Sequence, residues 1–162
     1  MVEIRRAVEG DIDWLRRLQD ERWGGQIQVE NGESYRPSDL PGFVAEIDRE
    51  RVGYAALRVI GGVASIGLIE SSRPRLGVGA SLVRVLAEEA RSQGCVVLRA
   101  VTTNDNRPAQ AFYAALGFHV RDVRPGAVNE SRKVKPSIPL TSVDGTPITD
   151  EIEYELDLRG SV

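Results

Sequence analysis

"RPRLGVGASLVRVLAEEARSQGCVVLRAVTT", residues 73–103, follows an apolar run that ends at Ile69. Two glycines, Gly77 and Gly79, stand where a strand hands over to a helix. From Val78 to Ser92, Leu82, Val83, Leu86, Ala87 and Ala90 form one apolar stripe, and Gly94 supplies a helix stop. "CVVLRAVTT" is β-branched and suits a buried strand. The stretch therefore reads as strand, glycine turn, helix, strand, and a right-handed crossover makes the two strands parallel. The glycines have two readings. They make a tight turn and nothing more, or they expose backbone N–H groups at a helix N-terminus, where the helix dipole favours an anion such as a pyrophosphate.

Upstream, "VEIRRA" (2–7) reads as a first strand. "GDIDWLRRLQDERW" (10–23) reads as a helix, with Ile12, Trp14, Leu15 and Leu18 at helical spacing and Asp11 as N-cap. Residues 24–38 carry no clear period and read as a loop. Turn signals at Asp48–Glu50 and Gly61-Gly62 divide the next stretch into three antiparallel strands, near 42–48, 52–60 and 63–70. Downstream, "NDNRPAQAFYAALG" (104–117) opens on Asn capping signals, tolerates Pro108 in its first turn and stops at Gly117. "FHVRDV" (118–123) is another strand. Residues 125–147 form a long, Pro-dotted connection that reads as a functional loop. "DEIEYELDL" alternates, with Ile152, Tyr154, Leu156 and Leu158 on one face, and closes the sheet. The sum is a single α/β domain over residues 1–162, with a mixed, mostly antiparallel sheet of about seven strands and helices on both faces.

A formal net charge of −3 provides no global field to recruit nucleic acid or an anionic membrane. The charge is unevenly spread. Arg107, Arg121, Arg124, Arg132, Lys133 and Lys135 crowd one stretch, and Asp144, Asp150, Glu151, Glu153, Glu155 and Asp157 the tail. Both read most simply as solvated faces. The lone Cys95 sits in an apolar run as an inert core thiol, and His119 is the one histidine, so no metal set is expected. With no membrane-length apolar run and no signal-peptide pattern at the start, a cytoplasmic protein is the expectation.

Which phosphate loop this is depends on what surrounds it. A Rossmann fingerprint needs a third glycine and an acid closing the next strand; neither is present before Asp105. A Walker loop needs Gly-Lys-Ser/Thr, which is absent. Instead "NDNRPAQAFYAALGF" places Asn106 seven residues before Tyr113, with Gly117-Phe118 after it. Together with "RLGVGASLV" it resembles the GNAT superfamily of acyl-CoA-dependent N-acetyltransferases, over about residues 40 to 120, with the order of elements matching along the full length. In the family's loop an Arg or Gln stands three residues before the first glycine. Here that position is Pro74, flanked by Arg73 and Arg75.

The resemblance implies a GNAT-like fold whose fourth and fifth predicted strands splay at their C-terminal ends. Acetyl-CoA, as acyl donor, would lie in that gap against Leu68 and Ile69. Its pyrophosphate would rest on Arg75, Leu76, Gly77, Val78, Gly79 and Ala80, with Asn104 and Asn106 nearby. Tyr113 would be the general acid for the CoA sulfur, although a core aromatic on an amphipathic helix is the alternative. Asn106 would bond the cofactor, cap its helix, or do both. Lysine-acetylating members carry a Glu near the start of the fourth strand, where this chain has Val63, Ala64 and Ser65. Glu70, at the other end of that strand, is the nearest carboxylate, either a base or a strand-end surface residue; Glu21 and Glu33 are further options. The expected acceptor is a small-molecule amine. A protein Lys or N-terminus, and a non-catalytic acyl-CoA binding domain, stay open, as does a homodimer through the late strands.

Overall fold

A computed structural model describes residues 1–73 and 76–160. Alternating apolar residues build the strands β1 (Glu3–Arg6), β2 (Gln28–Glu30), β3 (Glu33–Tyr35), β4 (Gly42–Ile47), β5 (Glu50–Ile60), β6 (Val63–Ser71), β7 (Val97–Thr103), β8 (His119–Arg124) and β9 (Glu151–Asp157). The helices are α1 (Ile12–Arg22), α2 (Val78–Ser92), α3 (Arg107–Ala115) and α4 (Ala127–Val134). Seven strands form one sheet in the order β1-β4-β5-β6-β7-β9-β8, antiparallel except for β6 beside β7. The sequence-derived fold class stands, including the parallel pair.

Alternation along the strands separates two cores. Phe43, Ala45, Ala55, Leu57, Ala64 and Ile66 face the apolar stripe of α2, Leu82, Val83 and Leu86, and continue to Tyr113, Phe118 and Tyr154. Their neighbours Val44, Tyr54, Ala56 and Leu68 point the other way, onto Leu15 of α1. Removing these apolar faces from water is what places helices on both sides of the sheet.

Several expectations need correction. Residues 24–38 are not all loop: they hold the β2–β3 hairpin, turned by Asn31 and Gly32 at φ 50° and 76°. Residues 125–147 carry α4, which packs on β2. Asp11 does not cap α1 with its side chain. Its buried carboxylate instead accepts from Arg5 (2.8 and 2.9 Å), Arg51 (2.9 Å) and the Val8 amide (2.8 Å), which holds its pKa far below the usual carboxylate range. Finally, β9 closes the sheet from within, between β7 and β8, leaving β8 at the edge. That insertion is why the connection before β9 is long: the chain must leave the sheet after β8 and return on its inner side.

The two charge runs are not simply solvated faces. Arg121 bonds Glu153 (2.6 Å), Arg124 bonds Glu151 (3.0 Å), and Arg99 bonds Glu155 (2.9 Å). Glu151 and Glu153 are buried, on the face of β9 opposite Tyr154. A basic run and an acidic run distant in sequence are partners across adjacent strands.

Candidate active site

The parallel ladder between β6 and β7 consists of two pairs, Ala64↔Leu98 and Ser65↔Arg99. Beyond it β6 continues to Ser71 on β5 and β7 to Thr103 on β9, but the two no longer pair with each other. The β5–β6 register shifts between Ala56 and Leu57, so Gly67 is the extra residue of a bulge that bends β6 away from β7. Leu68 and Ile69 lie on the parting segment, as the sequence predicts.

Gly77, at φ 75°, turns the chain into α2, and the first bond of that helix runs from the Ser81 amide to the Gly77 carbonyl. The amides of Val78, Gly79 and Ala80 therefore have no intrahelical acceptor at the start of a 15-residue helix. Leu76 is exposed beside them. Arg75 and Pro74 lie outside the described residues. Arg73 pairs with Glu50 (2.5 Å). The second glycine has a different role: a Cβ at Gly79 would stand 3.1 Å from the Phe112 ring, so it allows α2 and α3 to approach closely.

On α3, Asn106 accepts from the Ala109 amide (3.1 Å) and so caps the helix. Gln110 donates to the carbonyls of Thr103 (3.1 Å) and Asn104 (3.2 Å), fixing α3 to the end of β7. Asn104 is engaged elsewhere. Its amide oxygen accepts from Thr149 and Asp150, both at 3.0 Å, and its nitrogen donates to Pro147 (2.8 Å), which anchors the entry to β9. Tyr113 is buried, its ring 5.3 Å from Phe112 and Phe118 and 5.7 Å from Tyr154. Burial, aided by the charge of Glu30, raises its pKa well above the ordinary phenol value, so its hydroxyl keeps its proton.

On the opposite face a cleft of about 220 Å³ lies over the start of the gap, lined by Ser65 of β6, Arg99 and Val101 of β7, Arg58 of β5, and Glu30 of the β2–β3 hairpin. A roomier cleft beside the start of α1 includes no residue of β6 or β7. The wall near the gap is continuous. Glu70 accepts from Arg22 (2.8 Å) and the Trp23 indole (2.9 Å), Lys135 donates to the Trp23 carbonyl (2.6 Å), and Ser137 to that of Gly24 (2.9 Å). The suspected functional segment thus closes onto the end of α1. Glu21 and His119 are exposed, Glu33 pairs with Arg58 (2.5 Å), and Cys95 is a buried free thiol. Among the described residues no cluster of His, Cys, Asp and Glu could hold a metal ion. No helix there is long and apolar enough to cross a membrane.

Glu30, which lines the cleft over the gap, is a residue that the sequence reading did not single out. Its signal was available: Asn31-Gly32 between two short runs is the strongest local sign of a two-residue hairpin.

A parted parallel pair, a glycine-led helix at its end and a tyrosine beside it define an acyltransferase-type fold. The Acetyltransferase (GNAT) family model matches residues 11–118, more than half of the chain. The chain belongs to this family. The uncharacterized protein YdhI of Bacillus subtilis (strain 168) is 32% identical over 133 residues, covering 82% of this chain and 83% of that one. A GNAT family acetyltransferase from Elizabethkingia anophelis, solved with acetyl-CoA bound, superposes with a TM-score of 0.71 at 16% identity, covering 96% of this chain and 97% of that one. The ribosomal-protein-S18-alanine N-acetyltransferase from Escherichia coli superposes at 0.69 with 17% identity, over 100% of this chain and 97% of that one.

Proposed function

We propose that this acetyltransferase moves the acetyl group of acetyl-CoA directly to the primary amine of a small molecule within a ternary complex. The observation that carries the reading is the β6–β7 gap, with bare helix amides at its end, a buried phenol on one face and a small charged cleft on the other. The residues fit the donor. The side of β6 that faces β7 has no strand partner beyond Ser65, along Leu68 and Ile69, and can take an extended, amide-rich pantetheine arm as an added strand. The amides from Leu76 to Ala80 suit its pyrophosphate, with Arg75 as a charged neighbour in sequence and Asn106 at the head of α3. Acetyl-CoA supplies the activated thioester carbon.

Tyr113 holds a proton at its hydroxyl, as a group that must protonate a leaving thiolate requires. Glu70 holds Arg22 and Trp23 at the mouth of the gap, with both carboxylate oxygens engaged, and in this reading positions the acceptor wall. A cleft of about 220 Å³ walled by the hairpin favours a small amine over a folded protein segment.

The test is thermal unfolding with acetyl-CoA, NADH and ATP, followed by an amine panel. A ligand at a hundredfold excess over Kd stabilises by about 2.7 kcal/mol. A shift with acetyl-CoA alone supports the reading, as does Tyr113→Phe that retains the shift but loses about 100-fold in turnover. A shift with NADH alone, or no turnover with any amine, overturns it.

A further inference from the structure

We propose that Glu30 is the residue that takes the proton from the acceptor amine, an assignment that rests on the acetyl-transfer reading above. Glu30 ends β2, one residue before the hairpin turn, and lines the cleft over the gap. The hairpin is held from three directions. Tyr35 donates to the Gly67 carbonyl at the β6 bulge (2.8 Å), Glu33 pairs with Arg58 of β5 (2.5 Å), and the Asn31 amide donates to Glu151 of β9 (3.1 Å). Glu30 therefore stands on a fixed element.

The other carboxylates near the gap are committed. Glu70 is held by Arg22 and Trp23, Glu151 by Arg124, and Glu153 by Arg121 and Arg124. Glu30 alone of this group has no ion-pair partner among the described residues. The groups around it are Tyr35 of β3, Glu151 and Glu153 of β9, Arg58 of β5, Arg99 of β7 and Arg124 of β8, with Glu33 opposite it in the hairpin register. Tyr113 of α3 belongs to the core on the α2 face of the sheet, whereas Glu30 lines the cleft with Ser65 and Arg99, whose side chains alternate to the other face, so acid and base stand on opposite faces.

Glu30 is half-buried in the cleft wall, and desolvation there pushes its carboxyl up to about 8, with Glu151 adding to the rise; the Tyr35 hydroxyl, then Arg58 and Arg124, oppose it. A carboxylate of that basicity competes for an ammonium proton, as an ordinary one does not. The step balances: one N–H proton passes to a Glu30 oxygen, the nitrogen keeps the electron pair, and the proton later leaves to water.

The first measurement is a ¹³C titration of the Glu30 carboxyl in ligand-free protein, with an expected midpoint near 8. The second is Glu30→Gln, a near-isostere that keeps the fold. We expect acetyl-CoA affinity within about twofold of wild type, kcat/KM lower by about 100-fold or more, and loss of the rise in kcat/KM through pH 8. Tyr35→Phe moves the midpoint higher, because the lost hydroxyl favours the ionised form. A carboxyl titrating in the ordinary range, or Glu30→Gln with a wild-type profile, overturns the assignment and leaves acetyl transfer standing. A wild type that binds acetyl-CoA but acetylates no amine overturns both.

Discussion

Gly77 and Gly79 are two residues apart and do different work. At Gly77 the backbone is left-handed at φ 75°, and a Cβ would meet nothing within 4 Å. Gly77→Ala is thus a conformational penalty alone, about 1 kcal/mol, and its cost should show fully in urea unfolding of the ligand-free protein. Gly79 is helical, so alanine gains up to about 1 kcal/mol of propensity there. Its new methyl meets the Phe112 ring at 3.1 Å, a contact that makes the ring move. Gain and strain nearly cancel, and we expect Gly79→Ala to unfold within about 0.5 kcal/mol of wild type. Its effect falls instead on Tyr113, whose ring leans on Phe112 at 5.3 Å. Steady-state kinetics should show kcat falling by more than acetyl-CoA affinity; equal losses would mean that the glycine serves the phosphate and not the helix contact.

Elements were legible where a residue's role is local. Helix stops, the Pro108 position, the Asn106 cap and the α2 stripe depend on neighbours within one turn, and each stands where the sequence places it. Roles set by distant partners were not legible. Asp11 looked like a cap until Arg5 and Arg51 came together around it. Nothing near Asn104 in the sequence shows that its amide anchors residues 147–150. The acidic face of β9 looked solvated because nothing in sequence shows that β9 inserts beside β8, where Arg121 and Arg124 wait. Glu151 is the joint of this arrangement, accepting from Arg124 and from the Asn31 turn. Glu151→Ala takes one of the carboxylate partners from the half-buried Arg124 guanidinium, which keeps Glu153 and Asp122, and removes the acceptor of the hairpin amide, so it should destabilise by about 2 kcal/mol. Chemical denaturation checks the loss, and amide exchange at residues 28–35 should accelerate first. A loss below about 0.5 kcal/mol would place Glu151 with surface pairs.

For the molecule as a whole, two carboxyls displaced in opposite directions set how stability follows pH. Asp11 has a depressed folded pKa, so its contribution is present above its unfolded value and is lost as pH falls toward the folded one. Glu30 is displaced upward, so the folded state holds a proton that the unfolded chain releases. Stability therefore declines as pH rises from the unfolded value of 4.5 to about 8, with a slope of at most about 1.4 kcal/mol per pH unit from this one group. The two limbs meet near pH 4, between the unfolded values of 3.8 and 4.5, where the protein should be most resistant to urea. Asp11→Asn should flatten the acid limb and cost about 2 kcal/mol at neutral pH, because Arg5 and Arg51 lose a buried acceptor while staying about one-third exposed. Glu30→Gln should flatten the other limb, so that the variant is the more stable protein at pH 8.5 and nearly equal to wild type at pH 4.5. The curves need no substrate and no donor, so they read the Glu30 environment apart from any turnover. Parallel wild-type and Glu30→Gln curves across that interval would mean that Glu30 is solvated in the folded protein, and the acceptor cleft would then have to find its base in water.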